Sequence, residues 1–153
     1  DVERSRGLGD VYKRQPVDGS ETAWRALNNA LEIGKKFESE ILVVNVIQPY
    51  NNAALLAVPL DHATINQGNS ELEKVGDKVL ELAKEMVGSY PHKVEYDMEV
   101  GHPSERIIAL SKKVEADAIV LGSRGLSGIA EFFLGSVSSK VSQYATVPVL
   151  IVK

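Results

Sequence analysis

From residue 17 onward, hydrophobic and polar positions fall into two alternating rhythms. Ala23, Ala26, Leu27, Ala30, Leu31 and Phe37 recur at spacings of three, four and seven, which predicts an amphipathic helix. Ser20 is placed to cap it, and Glu21 suits the positive end of its dipole. Ile41 to Ile47 is a near-continuous apolar, β-branched run, the pattern of a strand covered on both faces. Pro49 to Gly68, with Asn51, Asn52, Pro59 and Asn66, reads as an irregular connection. Leu72, Val75, Val79, Leu82, Ala83 and Met86 then mark a second helix ending near Gly88. Val94, Tyr96, Met98 and Val100 alternate with Lys93, Glu95, Asp97 and Glu99, so this strand is half exposed, at or near a sheet edge. Gly101-His102-Pro103-Ser104 turns into a third helix with Ile107, Ile108, Leu110 and Val114 inward. Ala116 to Leu121 is another buried strand. After a long loop, a short helix from Ser136 carries Val137, Val141 and Tyr144, and Val147 to Val152 is the last strand. Strands alternating with helices predict βαβ units, right-handed crossovers and a mainly parallel sheet.

Composition narrows the chemistry. The 153 residues suit one domain, 44% apolar and 25% charged. There is no cysteine, so disulfides, thiolate metal sites and a cysteine nucleophile are excluded. A net charge of −4 argues against nucleic acid as a partner. No apolar stretch approaches the roughly 20 residues of a membrane helix, and no apolar leader is present, so the expected location is the cytoplasm. His62, His92 and His102 are scattered without metal-ligand spacing, and no metal site of protein ligands is expected. Residues 1–15 carry Arg4, Arg6, Lys13 and Arg14 and no apolar run. They read as an atypical segment, a tail or an artefact, ahead of a domain over 16–153.

In an open parallel sheet, ligands bind beyond the carboxyl ends of the strands. Two turns at such ends are rich in chemistry. One is Pro16-Val17-Asp18-Gly19-Ser20. The other starts at Gly122-Ser123-Arg124-Gly125 and runs to Gly135-Ser136-Val137-Ser138. Its glycines admit close backbone approach, and Gly135-Ser136 opens a helix, whose free N–H groups and dipole favour an anion. Ser136 and Ser138 add hydroxyls, and Arg124 suits phosphate. The loop is neither a GxGxxG fingerprint nor a P-loop.

The spacing of Gly122, Gly125 and Gly135-Ser136, between a buried strand and a helix, resembles the nucleotide-binding signature of the universal stress protein (UspA-like) family. The Val17-Asp18-Gly19-Ser20 turn, the Gly101-x-Pro103 turn and the Val147-Pro148-Val149-Leu150 ending share the resemblance, which covers residues 16–153. It implies a Rossmann-like fold of the adenine nucleotide alpha hydrolase type. The sheet would be open, with five parallel strands in the order 3-2-1-4-5 and helices on both faces. It also implies an ATP-binding stress-response protein acting as sensor or regulator, with ATP, ADP or AMP in the crevice and Mg²⁺ held through the phosphates. Carried over, Asp18 faces the ribose or metal-phosphate region, Pro16 and Val17 of the same turn belong to the binding set, and Val46 lines the adenine pocket. Gly122, Arg124, Gly125, Gly135, Ser136 and Val137 wrap ribose and phosphates, and Ser138 is a further phosphate donor. Family members pair as homodimers through the last strand, here 147–153. The sequence departs from the family pattern at Val11 to Gln15, where Lys13 and Arg14 stand in place of apolar residues. No catalytic residue is assigned, because no nucleophile–base pair is visible. A slow ATPase and a dimeric module without nucleotide are the alternative readings.

Overall fold

The computed structural model describes residues 2–4, 10–13, 20–49, 62–123 and 135–153. The elements in chain order are β1 (Val2–Arg4), β2 (Asp10–Lys13), α1 (Glu21–Phe37), β3 (Glu40–Ile47), α2 (His62–Val87), β4 (Val94–Val100), α3 (Pro103–Lys113), β5 (Ala116–Gly122), α4 (Ser136–Tyr144) and β6 (Val149–Val152). They form an α/β fold around one sheet.

The sheet runs from β4 through β3 to β5 and β6, with β1 and β2 together filling the slot between β3 and β5. The α/β class and the parallel strands are as expected, and β1 joins them as a short antiparallel addition. β2 runs parallel to β3 but covers only Val43–Val46. β1 runs antiparallel and pairs with Glu40–Leu42 on one side and with Ala116, Ala118 and Ile119 on the other. The physical reason is length. β2 has four residues against the eight of β3, so one short strand leaves interior N–H and C=O groups of β3 and β5 without partners. The segment expected as an atypical tail thus contributes both short strands. The remaining pairs, β3 with β4 and β5 with β6, are parallel as expected.

The core has a layer on each face. On one face Leu42, Val44 and Val46 of β3 and Ile119 and Leu121 of β5 pack against Ile107 and Leu110 of α3 and Val137 and Val141 of α4. On the other, Ile41, Val43 and Val120 pack against Ala26, Leu27, Ala30 and Leu31 of α1 and Leu80 and Ala83 of α2. Period-2 alternation along β3 and β5 produces this division. Phe37, Leu82 and Tyr144, which share the apolar stripes of their helices, are instead 59%, 46% and 64% exposed. Phe37 and Tyr144 are the last residues of their helices, beyond the reach of the sheet's cover.

Two boundaries differ from the sequence pattern. α2 begins at His62, inside the stretch expected to be irregular. Residues 63–71, ahead of the stripe that starts at Leu72, include no buried position and carry no hydrophobic period. β6 begins at Val149, although the carbonyl of Pro148 still accepts a hydrogen bond from Ile119 at 2.9 Å. No described helix is long and apolar enough to cross a membrane.

Candidate functional site at the carboxyl edge of the sheet

The first turn of α1 is the first wall of the site. Ser20 caps it, accepting from the Ala23 N–H at 3.4 Å, and its hydroxyl shares a hydrogen bond of 2.8 Å with Thr22. Gly122, at the end of β5, lies against this turn. A Cβ there would stand 2.5 Å from Thr22 Oγ1, 2.8 Å from the Thr22 carbonyl carbon and 2.9 Å from the Ala23 nitrogen. Two of those three atoms are backbone, so no rotamer change makes room. Glycine is required here by the packing of helix on strand.

The second wall is α4. The Gly135 N–H donates to the Ser123 carbonyl at 2.8 Å. The Ser138 hydroxyl, fully buried, lies 3.0 Å from the same carbonyl and 2.9 Å from that of Gly135. The two ends of the glycine-rich loop are therefore clasped together. Ser138 was expected as a phosphate donor. Its hydroxyl proton is instead directed at main-chain carbonyls inside the neck of the loop.

The clasp leaves the start of α4 open. Its N-cap is Gly135, which has no side chain to offer, and its first turn has no acidic residue. The first intrahelical bond runs from Ser139 N–H to Gly135 O at 2.9 Å, so the N–H groups of Ser136, Val137 and Ser138 have no intrahelical acceptor. Together with the helix dipole they make a positive pole at the carboxyl edge of the sheet. Ser136 is exposed there, and Val137 is buried beneath it.

The floor comes from β3 and β5. Val46 is fully buried in the same cluster as Leu121 and Val137, so the structure brings Val46, Gly122, Gly135, Ser136, Val137 and Ser138 to one end of the sheet. Gly101, with φ at +143°, closes the neighbouring corner, its N–H donating to Ile47 O at 2.8 Å. The stem of Arg106 packs on Gly101, while its Nε and Nη2 donate to Glu99 Oε2 at 3.0 and 2.6 Å. His102 follows, exposed, with Nδ1 3.0 Å from the Ser104 hydroxyl. Pro16, Val17, Asp18, Arg124 and Gly125 lie outside the described residues.

A shallow groove of about 510 Å³ flanks β4, bordered by Leu42, Val94, Tyr96, Leu110 and Val114. Leu42, Val94 and Tyr96 lie toward the amino ends of β3 and β4, with Leu110 and Val114 at the end of α3, away from the start of α4, so the groove belongs to the sheet edge and not to the site. Burial pushes the Tyr96 hydroxyl above the usual tyrosine range. Among the described residues, no group of three His, Asp or Glu side chains is placed to hold a metal ion.

The profile of the universal stress protein family matches residues 15–153. The chain belongs to the universal stress protein family. A universal stress protein of Bacillus subtilis is 36% identical over 142 residues, covering 90% of this chain and 95% of that protein. Among solved structures, the universal stress protein UspA from Lactobacillus plantarum superposes with a TM-score of 0.77 at 18% identity, over 97% of this chain and 99% of that one. A universal stress protein from Archaeoglobus fulgidus in complex with dAMP has a TM-score of 0.62 at 20% identity, covering 95% and 98%. An Arabidopsis thaliana family protein with AMP bound has a TM-score of 0.64 at 19% identity, covering 95% and 91%.

One residue of this universal stress protein escaped the sequence reading. Ser123 sits between the two named glycines of the loop and is 4% exposed. In a Gly-Ser-Arg-Gly run a serine looks like a solvated turn residue, and only its depth beneath α4 distinguishes it.

Proposed function

We propose that this protein binds an adenine nucleotide at the carboxyl edge of the sheet and acts in stress response as a sensor or regulator. The observation that carries the reading is the uncapped start of α4, held against the end of β5 by the Ser138 clasp. Three unfilled N–H donors at a helix N-terminus suit a phosphate group. The AMP and dAMP held by two structural neighbours are the same class of ligand. In this reading Ser136 and Val137 donate main-chain N–H groups to the phosphates, Gly122 and Gly135 keep the walls bare, and Val46 and Val137 shape the apolar floor under the base. Pro16, Val17, Asp18, Arg124 and Gly125 complete the ribose and phosphate contacts. ATP fills the site, with Mg²⁺ held through phosphate oxygens. The protein works as a homodimer joined through the C-terminal strand.

Titration calorimetry with AMP and with ATP plus Mg²⁺, on the wild type and on Gly135→Asp, tests the reading. Gly135 has φ −59° and ψ 157°, a conformation open to any residue, so aspartate fits the backbone. Its carboxylate would cap α4 and occupy the anion position. Binding by the wild type and its loss in Gly135→Asp is the expected outcome. Equal binding by both proteins would remove the start of α4 from the site.

A further inference from the structure

Ser123 Oγ is the one fully buried side-chain N or O atom among the described residues that has no hydrogen-bond partner. Its main chain is fixed on every side. The N–H donates to Val152 O at 2.8 Å, and the carbonyl accepts from Gly135 N–H at 2.8 Å and from the Ser138 hydroxyl at 3.0 Å. The backbone is satisfied and the hydroxyl alone is not. Buried hydroxyls almost always find a partner, because an orphaned one is destabilising.

Its direction follows from β5. A Cβ on residue 122 points at α1, as the contacts with Thr22 and Ala23 show. Alternation therefore sends residues 121 and 123 to the other face. Leu121 packs there with Val137 and Val141 of α4. Ser123 is the next position of that row toward the carboxyl edge, on the α4 face of the sheet, where its own carbonyl meets the Gly135 N–H and the Ser138 hydroxyl at the start of α4. A hydroxyl hydrogen rotates to suit its partner. Beside N–H donors that lack acceptors, the partner that completes the set is an acceptor, and an anionic oxygen satisfies all of them at once.

We infer that the Ser123 hydroxyl donates a hydrogen bond to a phosphate oxygen of the nucleotide, and that it has this partner only in the bound state. The inference rests on the nucleotide reading above and extends it to a residue outside that set. It carries a consequence of opposite signs. Removing the hydroxyl relieves the free protein of an unpaired buried group and deprives the bound state of a donor.

The test is thermal unfolding of the ligand-free protein together with calorimetry against AMP and against adenosine, for the wild type, Ser123→Ala and Ser123→Cys. Cysteine keeps the side-chain shape, is somewhat larger and offers only a weak donor. Ser123→Ala is expected to raise the ligand-free Tm by about 2–4 °C. Both variants are expected to bind AMP about 10- to 100-fold more weakly, with adenosine affinity unchanged. AMP binding at wild-type strength in both variants, or a lower ligand-free Tm for Ser123→Ala, overturns the inference. An equal loss for adenosine overturns the assignment to phosphate. Failure of the wild type to bind AMP is seen before any substitution and overturns the nucleotide reading itself.

Discussion

Gly122, Ser123 and Ser138 meet at one point and impose different demands. At Gly122 the demand is steric. An alanine Cβ would sit 2.8 and 2.9 Å from backbone atoms of Thr22 and Ala23, so α1 must move or β5 must bend. Gly122→Ala is expected to destabilise by about 1–3 kcal/mol, measured by urea unfolding. Shortening Thr22 to alanine in the same chain should recover little of it, since the backbone contacts remain. The demand at Ser138 is a hydrogen bond. Its hydroxyl is fully buried between two carbonyls, and Ser138→Ala is expected to lower stability by about 1 kcal/mol. Two buried serines on one clasp are thus expected to respond oppositely to alanine, Ser138 by a fall in stability and Ser123 by a rise. At Gly135 the free and bound states again diverge. Aspartate at this N-cap should stabilise the free protein by roughly 0.5–1 kcal/mol through capping and the helix dipole, while displacing the anion. A ligand-free Gly135→Asp protein that melts below the wild type would show that α4 is not short of a cap.

Among the elements, α2 shows how far the sequence pattern reaches. Its 26 residues span about 39 Å, whereas the seven residues of β4 span about 23 Å. Gly76 marks where helix and sheet part. A Cβ there would meet Met98 Sδ at 2.7 Å, Asn45 Oδ1 at 3.0 Å and Ile47 Cδ1 at 3.3 Å, all at the carboxyl ends of β3 and β4. Residues 62–75 therefore run about 21 Å past the strand ends. Hydrogen exchange should divide the helix at this point. Amides from Gly76 to Val87, packed through Val79, Leu80 and Ala83, should be protected well above those of 63–75, which have no buried position. Uniform protection along α2 would mean that the projecting half is held by more than its own hydrogen bonds. The same division explains what was legible. The elements that bury a stripe or a face, such as α1, β3, β5 and α3, can be read from periodicity to within a residue or two. The projecting half of α2 has no fully buried position, and ahead of Leu72 it leaves no period. β1 and β2 carry no apolar run, and their pairing answers the unfilled hydrogen bonds of β3 and β5 rather than any signal of their own. Gly122, Gly135 and Ser136 are singled out by a spacing that resembles the family signature, and the structure brings them to one end of the sheet. Ser123 could not be found in this way, since its role depends on which face of β5 it occupies, and the clasp of Ser138 depends on two carbonyls that no sequence pattern locates.

At the scale of the whole molecule, the two edges of the sheet are chemically opposed, and this bears on how copies can assemble. β6 is Val-Leu-Ile-Val, with Leu150 37% exposed, while β4 carries Glu95, Asp97 and Glu99 at alternate positions on one face. When an edge strand pairs antiparallel with its own copy about a two-fold axis normal to the sheet, each side chain lies opposite one on the same face. Opposed residues on β4 must then share parity, so Glu95, Asp97 and Glu99 can face only positions of their own set or positions beyond the strand. Carboxylates directly across a sheet repel. The pairs Lys93–Glu95 and Arg106–Glu99 moderate this at the two ends and leave Asp97 at the centre. The same operation on β6 places only apolar side chains opposite one another. Self-pairing would thus favour β6, and the sheet so created would end in two β4 edges that resist further addition, closing such an assembly at two protomers. Light scattering on a sizing column should therefore give a dimer for the wild type and a monomer for Leu150→Lys, which sets like charges against each other across the β6 seam. Replacing Glu95 and Asp97 together by threonine should produce species larger than a dimer, and adding Leu150→Lys should reduce these to pairs joined through β4. A wild-type monomer would refute pairing at β6. A double-threonine variant that stays dimeric would show that something other than the acidic row keeps β4 from pairing.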